Sequence, residues 1–262
     1  MTTTAAPTSA APARYVEHLM GMPVSLALRG RHARSSAGAA AWAEVVTELR
    51  WVDRVFSTWK QDSCVSRLGR GELTLAACPP AVTEVLALAE QAECESGGAF
   101  SAFLRHESGG AVFDPTGVVK GWAVERAAHH LAALDDTDFC LSAGGDMVCR
   151  TARPDSSPWM VGIEDPADPT RLIARALVRH GAVATSGTAH RGHHLVDART
   201  GLAPTGVASV TVIAASLTWA DIDATAAYAL GSEAADWLRT RPGRTGLVVW
   251  DDGRTEVFAT TG

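Results

Sequence analysis

The sequence predicts an α+β fold, a single domain in which a mostly antiparallel sheet is flanked by helices, and three observations carry that prediction. Runs with strand character follow one another instead of alternating strictly with helices, which disfavours a parallel, doubly wound sheet. Several longer segments space their apolar residues by three and four, the repeat of a helix with one buried face. The chain has 262 residues, 47% of them hydrophobic and 20% charged, which is an ordinary composition and enough length for one sizeable core.

The first helix is predicted over residues 42–56, where Trp42, Val45, Val46, Leu49, Val52, Val55 and Phe56 share one face. A second opens at Pro80, a residue suited to a first helical turn, carries Val82, Val85, Leu86 and Ala89, and stops at Gly97-Gly98. A third covers residues 118–134. A fourth covers 218–230 and is closed by Gly231, after which Ser232 is expected to cap a short fifth helix bearing Trp237 and Leu238. Strands are predicted at 23–28, 139–143, 159–163, 172–178 and 207–213, and at 247–250 turning through Asp251-Asp252-Gly253 into 256–259. Residues 1–13, rich in Ala, Thr and Pro, are expected to form a disordered tail ahead of one domain over 14–262.

Bulk properties exclude several function classes. A formal net charge of -6 gives no global attraction to nucleic acid, so no nucleic-acid partner is expected. The start of the chain lacks a basic stretch followed by an apolar one, and no later stretch approaches the roughly 18 apolar residues of a membrane span. A cytoplasmic protein without membrane insertion is the expectation. The five cysteines, Cys64, Cys78, Cys94, Cys140 and Cys149, are widely spaced and include no CxxC pair, which points to reduced thiols and to neither a disulfide framework nor a zinc site.

Four segments are candidates for chemistry. In Asp114-Pro115-Thr116-Gly117-Val118-Val119-Lys120-Gly121 a turn leads into the third helix. A lysine there opposes the helix dipole unless an anion binds at the same end. It reads either as an anion site approached by glycine backbone or as a surface lysine beyond a turn. Ala143-Gly144-Gly145-Asp146 reads as a tight hairpin turn with Asp146 accepting local amides, or as backbone making close approach to a planar ligand. Ala184-Thr185-Ser186-Gly187, followed by His193-His194-Leu195-Val196-Asp197, brings hydroxyls and imidazoles near one another. His194 and Asp197, three apart, would lie on opposite faces of a strand, so His194 is expected to face a ligand without Asp197 as its direct partner.

The fourth segment, Thr218 to Thr225, offers two readings for Asp221. Thr218 and Asp221 have the spacing of a capping box. Asp221 and Thr225, four apart on one helical face, also supply two hard oxygens of the kind magnesium takes, with Ala224, Ala226 and Ala227 expected to leave that face open. Asp223 points elsewhere and is expected to be solvated.

Taken together and in order, these segments resemble the ApbE family of FAD:protein FMN transferases. The matching pieces are Met20-Gly21, Phe56-Ser57-Thr58-Trp59, Ser66-Arg67-Leu68, Gly98-Ala99-Phe100, the Asp114 to Gly121 segment, Ala143-Gly144-Gly145-Asp146, Ala182-Val183-Ala184-Thr185-Ser186-Gly187, His194 to Gly201, and Ala220-Asp221 with Ala224-Thr225-Ala226. The resemblance implies an ApbE-like, T-fold-related domain that moves FMN from FAD to a Thr or Ser hydroxyl of an acceptor protein and releases AMP. It implies FAD contacts from Met20, Ala99, Phe100, Ser101, Asp114, Lys120 and Leu195, and magnesium, or manganese, held by the Gly117 carbonyl, Asp221 and Thr225. His194 and Asp221 take the catalytic positions, His194 as general base. The alternatives are FAD hydrolysis to FMN and AMP, or FAD binding without catalysis. Ser101 stands where the family commonly has Asp, Met22 replaces a small polar residue, Ala189-His190 an aromatic-acid pair, and Ala198 a proline.

Overall fold

The computed structural model describes residues 11–105, 111–187 and 196–261. In chain order the strands are β1 (Ala13–Leu19), β2 (Met22–Gly30), β3 (Phe103–Arg105), β4 (Ala111–Phe113), β5 (Thr137–Ala143), β6 (Asp146–Arg150), β7 (Trp159–Asp165), β8 (Asp168–Val178), β9 (His180–Gly187), β10 (Val207–Ala214), β11 (Thr245–Trp250) and β12 (Thr255–Ala259). The helices are α1 (Ser36–Phe56), α2 (Cys64–Gly69), α3 (Pro80–Glu95), α4 (Thr116–Ala132), α5 (Leu217–Leu230) and α6 (Ala234–Arg239). Eight strands make one sheet, ordered β1-β2-β5-β6-β9-β10-β11-β12, and every pair in it is antiparallel.

The alternation along each strand decides which layer covers which face. Val24, Leu26 and Leu28 of β2, Phe139, Leu141 and Ala143 of β5, and Val210 and Val212 of β10 join α1, α4 and α5 in the main core. On the reverse face, Cys149 and Val183 pack beneath Val161 and Val178 of the separate β7–β8 hairpin. The α+β architecture and the antiparallel sheet expected from the sequence are both present.

Two local expectations are corrected. Ser232 caps nothing: it lies within a short 3-10 turn over Gly231–Glu233, and α6 starts without a side-chain cap. Thr218 and Asp221 form no capping box, because the N-cap of α5 is Ser216, whose Oγ accepts from the Trp219 amide at 3.3 Å. Thr218 instead donates its hydroxyl and its amide to Glu125 Oε2 of α4, at 2.5 and 2.9 Å, and the Ser216 hydroxyl donates to the same oxygen at 2.8 Å. One carboxylate from a neighbouring helix thereby anchors the first turn of α5 and fixes it against α4.

The sequence patterns also left three strands of the eight-stranded sheet unread, β1, β6 and β9. Strand β1 shows an alternating pattern, but Met20-Gly21 is the turn that makes it a hairpin with β2. Both residues have positive φ, 53° and 72°, as a two-residue type I′ turn demands. Strand β9 sets only two β-branched residues, Val183 and Thr185, among small ones (Gly181, Ala182, Ala184, Ser186), a weak strand signal although it lies inside the sheet.

Candidate functional site

A cavity of 580 Å³ opens where α4 and α5 meet the end of the sheet. Its walls come from the α1–α2 loop (Thr58, Trp59), residues 99–101, the start of α4, the β5–β6 turn (Gly144, Gly145), the β7–β8 hairpin (Gly162 to Glu164, Pro166), the end of β9, and the α5 face carrying Asp221, Thr225 and Ala229. Its size suits a small-molecule ligand or much of a dinucleotide.

The two helices approach closely because Gly121 has no side chain. A Cβ there would meet Asp221 Cβ and the Leu217 carbonyl oxygen, both at 2.8 Å. The approach lets the Gly121 amide donate to Asp221 Oδ2 at 2.9 Å. In a regular α-helix that amide serves the carbonyl of Gly117, so Asp221 competes for the donor that would otherwise satisfy the Gly117 oxygen. Phe100 lies over Gly117, where a Cβ would meet its ring at 2.9 Å.

At the floor of the site Lys120 Nζ lies 2.5 Å from Asp146 Oδ2 and 3.1 Å from Asp221 Oδ1, and both aspartates are almost fully buried. Asp146 Oδ1 accepts the Thr185 amide at 3.1 Å, while its Oδ2 makes no hydrogen bond beyond this ion pair. Two carboxylates therefore share one ammonium, which leaves one excess negative charge in a poorly solvated wall whenever both are ionised. Burial pushes the Asp221 carboxyl up to about 7, with Asp146 adding to the rise and Lys120 opposing it. For Lys120 burial acts downward, but Asp221 and Asp146 outweigh it and hold the ammonium above its ordinary value.

The sequence-predicted residues are largely brought together. Ala99, Phe100, Ser101, Asp114, Gly117, Lys120, Asp221 and Thr225 all line the one cavity. Met20 does not: it sits in the β1–β2 turn, packed against the main core. His194 and Leu195 lie outside the described residues, as do Ala189 and His190. Asp197 is engaged by Arg199, whose Nε and Nη2 reach it at 2.8–3.1 Å. Thr225 shares a hydrogen bond of 3.0 Å with Ser186, and Asp114 accepts the Thr116 amide at 3.0 Å. Ser101 donates to Glu93 Oε2 at 2.9 Å, so a carboxylate from α3 stands beside it.

Two expectations about α5 fail. Asp223 is not solvated but fully buried, its oxygens bonded to Arg241 and Arg244 at 3.0 and 2.6 Å. Ala224, Ala226 and Ala227 do not keep a face open, since all three are buried in the main core. Their small size lets neighbouring elements close on α5, a helix that is buried on nearly every side.

Sequence reasoning assigned no role to several residues that the fold brings to the site. Asp146 was readable only as a turn residue, because its partner Lys120 is remote in sequence. Trp59, 94% exposed at the cavity rim, signals a ligand or partner only once its position is known. Thr225, Ser186 and Gly117, which line the same cavity as Asp221, offer hard oxygens, and no group of three His, Cys, Asp or Glu placed to hold a metal ion exists among the described residues.

Comparison with known proteins adds an independent line. The sequence model of the ApbE family matches residues 20–106 and 102–248. The FAD:protein FMN transferase of Treponema pallidum is 31% identical over 169 residues, 57% of this chain and 47% of that protein. Its counterpart in Rhodobacter capsulatus is 34% identical over 152 residues, 54% of this chain and 28% of that protein. The chain spans about half, or less, of the length of these curated relatives. Among solved structures, the ApbE protein of Thermotoga maritima superposes with a TM-score of 0.80 at 20% identity, covering 94% of this chain and 96% of that one. The apo flavinyl transferase ApbE of Pseudomonas stutzeri gives 0.79 at 21% identity, covering 97% of each. These likenesses establish the shared fold.

Proposed function

This chain belongs to the ApbE family, and on that premise we propose that it transfers the FMN half of FAD to a Thr or Ser hydroxyl of an acceptor protein and releases AMP. The single observation that carries the reading is the charge imbalance in the cavity wall: Asp146 and Asp221 share Lys120, so the site holds one buried negative charge too many. A bound cation would correct it.

Asp221, Thr225 and the Gly117 carbonyl are the residues that would hold magnesium, or manganese. Few protein oxygens with phosphate and water as the remaining ligands is the arrangement magnesium favours. When bound, the ion supplies charge neutralisation at the pyrophosphate. The chain's own residues do the rest. Thr116 and Gly117, at the first turn of α4, offer the positive end of the helix dipole to phosphate. Lys120 keeps its proton through its two carboxylates and so remains a fixed cation. Phe100, Ile163, Met147 and the exposed ring of Trp59 give apolar surface to flat ring systems.

In the reaction the acceptor hydroxyl oxygen forms a bond to the FMN phosphorus while the bond from that phosphorus to the AMP oxygen breaks. The hydroxyl proton passes to a base, for which His194 is the candidate. Catalysis of this kind rests on positioning and charge stabilisation.

The test is to incubate the protein with FAD, magnesium and a candidate acceptor, and to measure AMP and the intact mass of the acceptor. An acceptor heavier by one FMN, formed with equimolar AMP and lost in Asp221→Ala, is the expected result. Free FMN beside an unmodified acceptor makes the protein a hydrolase of FAD. Bound FAD with no AMP at any magnesium concentration makes it a binding protein.

A further inference from the structure

The β5–β6 hairpin forms one wall of the cavity through Gly144 and Gly145, and it carries a feature that flavin transfer does not use. Cys140 and Cys149 are directly opposite each other in its register, and the Cys149 thiol donates to Cys140 Sγ at 3.6 Å. We propose that this pair is a modification site, a cross-strand dithiol that a small disulfide such as glutathione disulfide converts to an intrachain bridge.

The backbone geometry permits it. Opposed residues of an antiparallel pair have Cα atoms about 4.5 or 5.5 Å apart, and both values fall within the range of roughly 4.4–6.8 Å that disulfides span. The sulfurs need to approach from 3.6 Å to about 2.05 Å, a distance within reach of side-chain rotation. Their other neighbours in the same row across the sheet are small: Cys140 is flanked by Ala27, and Cys149 by Gly181. Each sulfur thus has the other as its bulky lateral neighbour.

Access and charge order the two thiols. Cys149 is 1% exposed beneath Val161 and Val178, whereas Cys140 is half-buried. Beyond Ala27 in the row stands Arg14, and Arg29 lies one side-chain position along β2. The hydrogen bond from Cys149, with help from these guanidinium groups, pulls the Cys140 thiol below its ordinary value against the effect of burial. The same hydrogen bond, with burial, raises Cys149. The other close thiols behave differently: burial and Cys78 push Cys64 up to about 12.

The chemistry balances as two exchanges. The Cys140 thiolate attacks one sulfur of the oxidant, forming a mixed disulfide and expelling one glutathione thiolate, which takes a proton from Cys149. Cys149 then attacks Cys140 Sγ and expels the second glutathione. Two electrons pass to the oxidant, whose disulfide becomes two thiols while the protein's two thiols become one disulfide. The bridge closes residues 140–149, fixing the hairpin that bears the Gly144-Gly145 wall and Asp146.

The experiment treats the full chain with glutathione disulfide and maps its peptides by mass without reduction. The expected product joins Cys140 to Cys149 with loss of two hydrogens, while Cys94, exposed and alone, takes a glutathione adduct. In Cys149→Ala the reaction stops halfway, and the adduct on Cys140 accumulates on the order of tenfold above its wild-type level. The bridged form should melt at a higher temperature and return to the original midpoint with dithiothreitol. Free Cys140 and Cys149 in wild-type protein whose Cys94 is fully glutathionylated overturn the proposal, as does a bridge that forms only between Cys64 and Cys78. Wild-type mapping decides the matter even if the variant does not fold.

Discussion

Asp221 and Asp223 stand two residues apart on α5, both almost wholly withdrawn from water, yet their surroundings are opposite in kind. Asp223 meets two arginines, and Arg241 in turn lies between the rings of Trp219 and Trp237 and reaches Glu95 at 2.6 Å. Two acids and two bases balance there. Asp221 shares a single lysine with Asp146 and lines the large cavity. The balanced cluster joins α5 to the C-terminal part of the fold. The unbalanced one is where the proposed cation would bind. Burial alone therefore does not separate the two carboxylates, whereas the local sum of charge does, and it is the uncompensated one that the proposed function uses.

The contrast can be broken most strongly at Asp223. Asp223→Ala leaves Arg241 and Arg244 without their buried counter-charge and is expected to cost about 3–5 kcal/mol in denaturant unfolding. Next in size, Asp221→Ala is expected to lower AMP release from FAD by roughly 10²–10³ while leaving a folded protein. If the two variants instead exchange their effects, the division of α5 into an anchoring side and a reacting side is wrong.

A pH series sharpens the same distinction. Asp221 is raised from 3.8 to about 7, so between those values the folded chain binds more protons than the unfolded one. Its contribution therefore weakens the fold as pH rises through that window and levels off above it. In chelator, the unfolding free energy of Asp221→Asn should gain on wild type across the window, by on the order of 4 kcal/mol, and magnesium should close the gap. Equal pH profiles for the two proteins would remove the charge-imbalance argument.

Smaller effects test the packing and the rim. Gly121→Ala inserts a methyl group against Asp221 and the Leu217 carbonyl, and is expected to cost about 1–3 kcal/mol by spreading α4 from α5. Trp59→Ala should change stability by less than about 0.5 kcal/mol, since the ring is exposed, but should weaken FAD binding measured by flavin fluorescence. Unchanged affinity would assign the rim to the acceptor protein rather than to FAD.

The sequence by itself determined the α+β class, the main helices and most strands of the sheet, because those depend on periodicities and turn residues within a few positions of one another. Gly231 closing α5 and Pro80 opening α3 are such local signals. The order of short motifs likewise drew Ala99, Phe100, Asp114, Gly117, Lys120, Asp221 and Thr225 toward one site before their proximity was known. Tertiary structure decided what each polar residue is for. Thr218 reads as a cap until Glu125, 93 residues away, takes its place. Asp223 reads as solvated until Arg241 and Arg244 close over it. Asp146 reads as a turn residue until the β5–β6 hairpin brings it to Lys120. Local patterning follows from near neighbours along the chain, but the energy of a buried charge is set by partners and solvent that only the folded chain brings together.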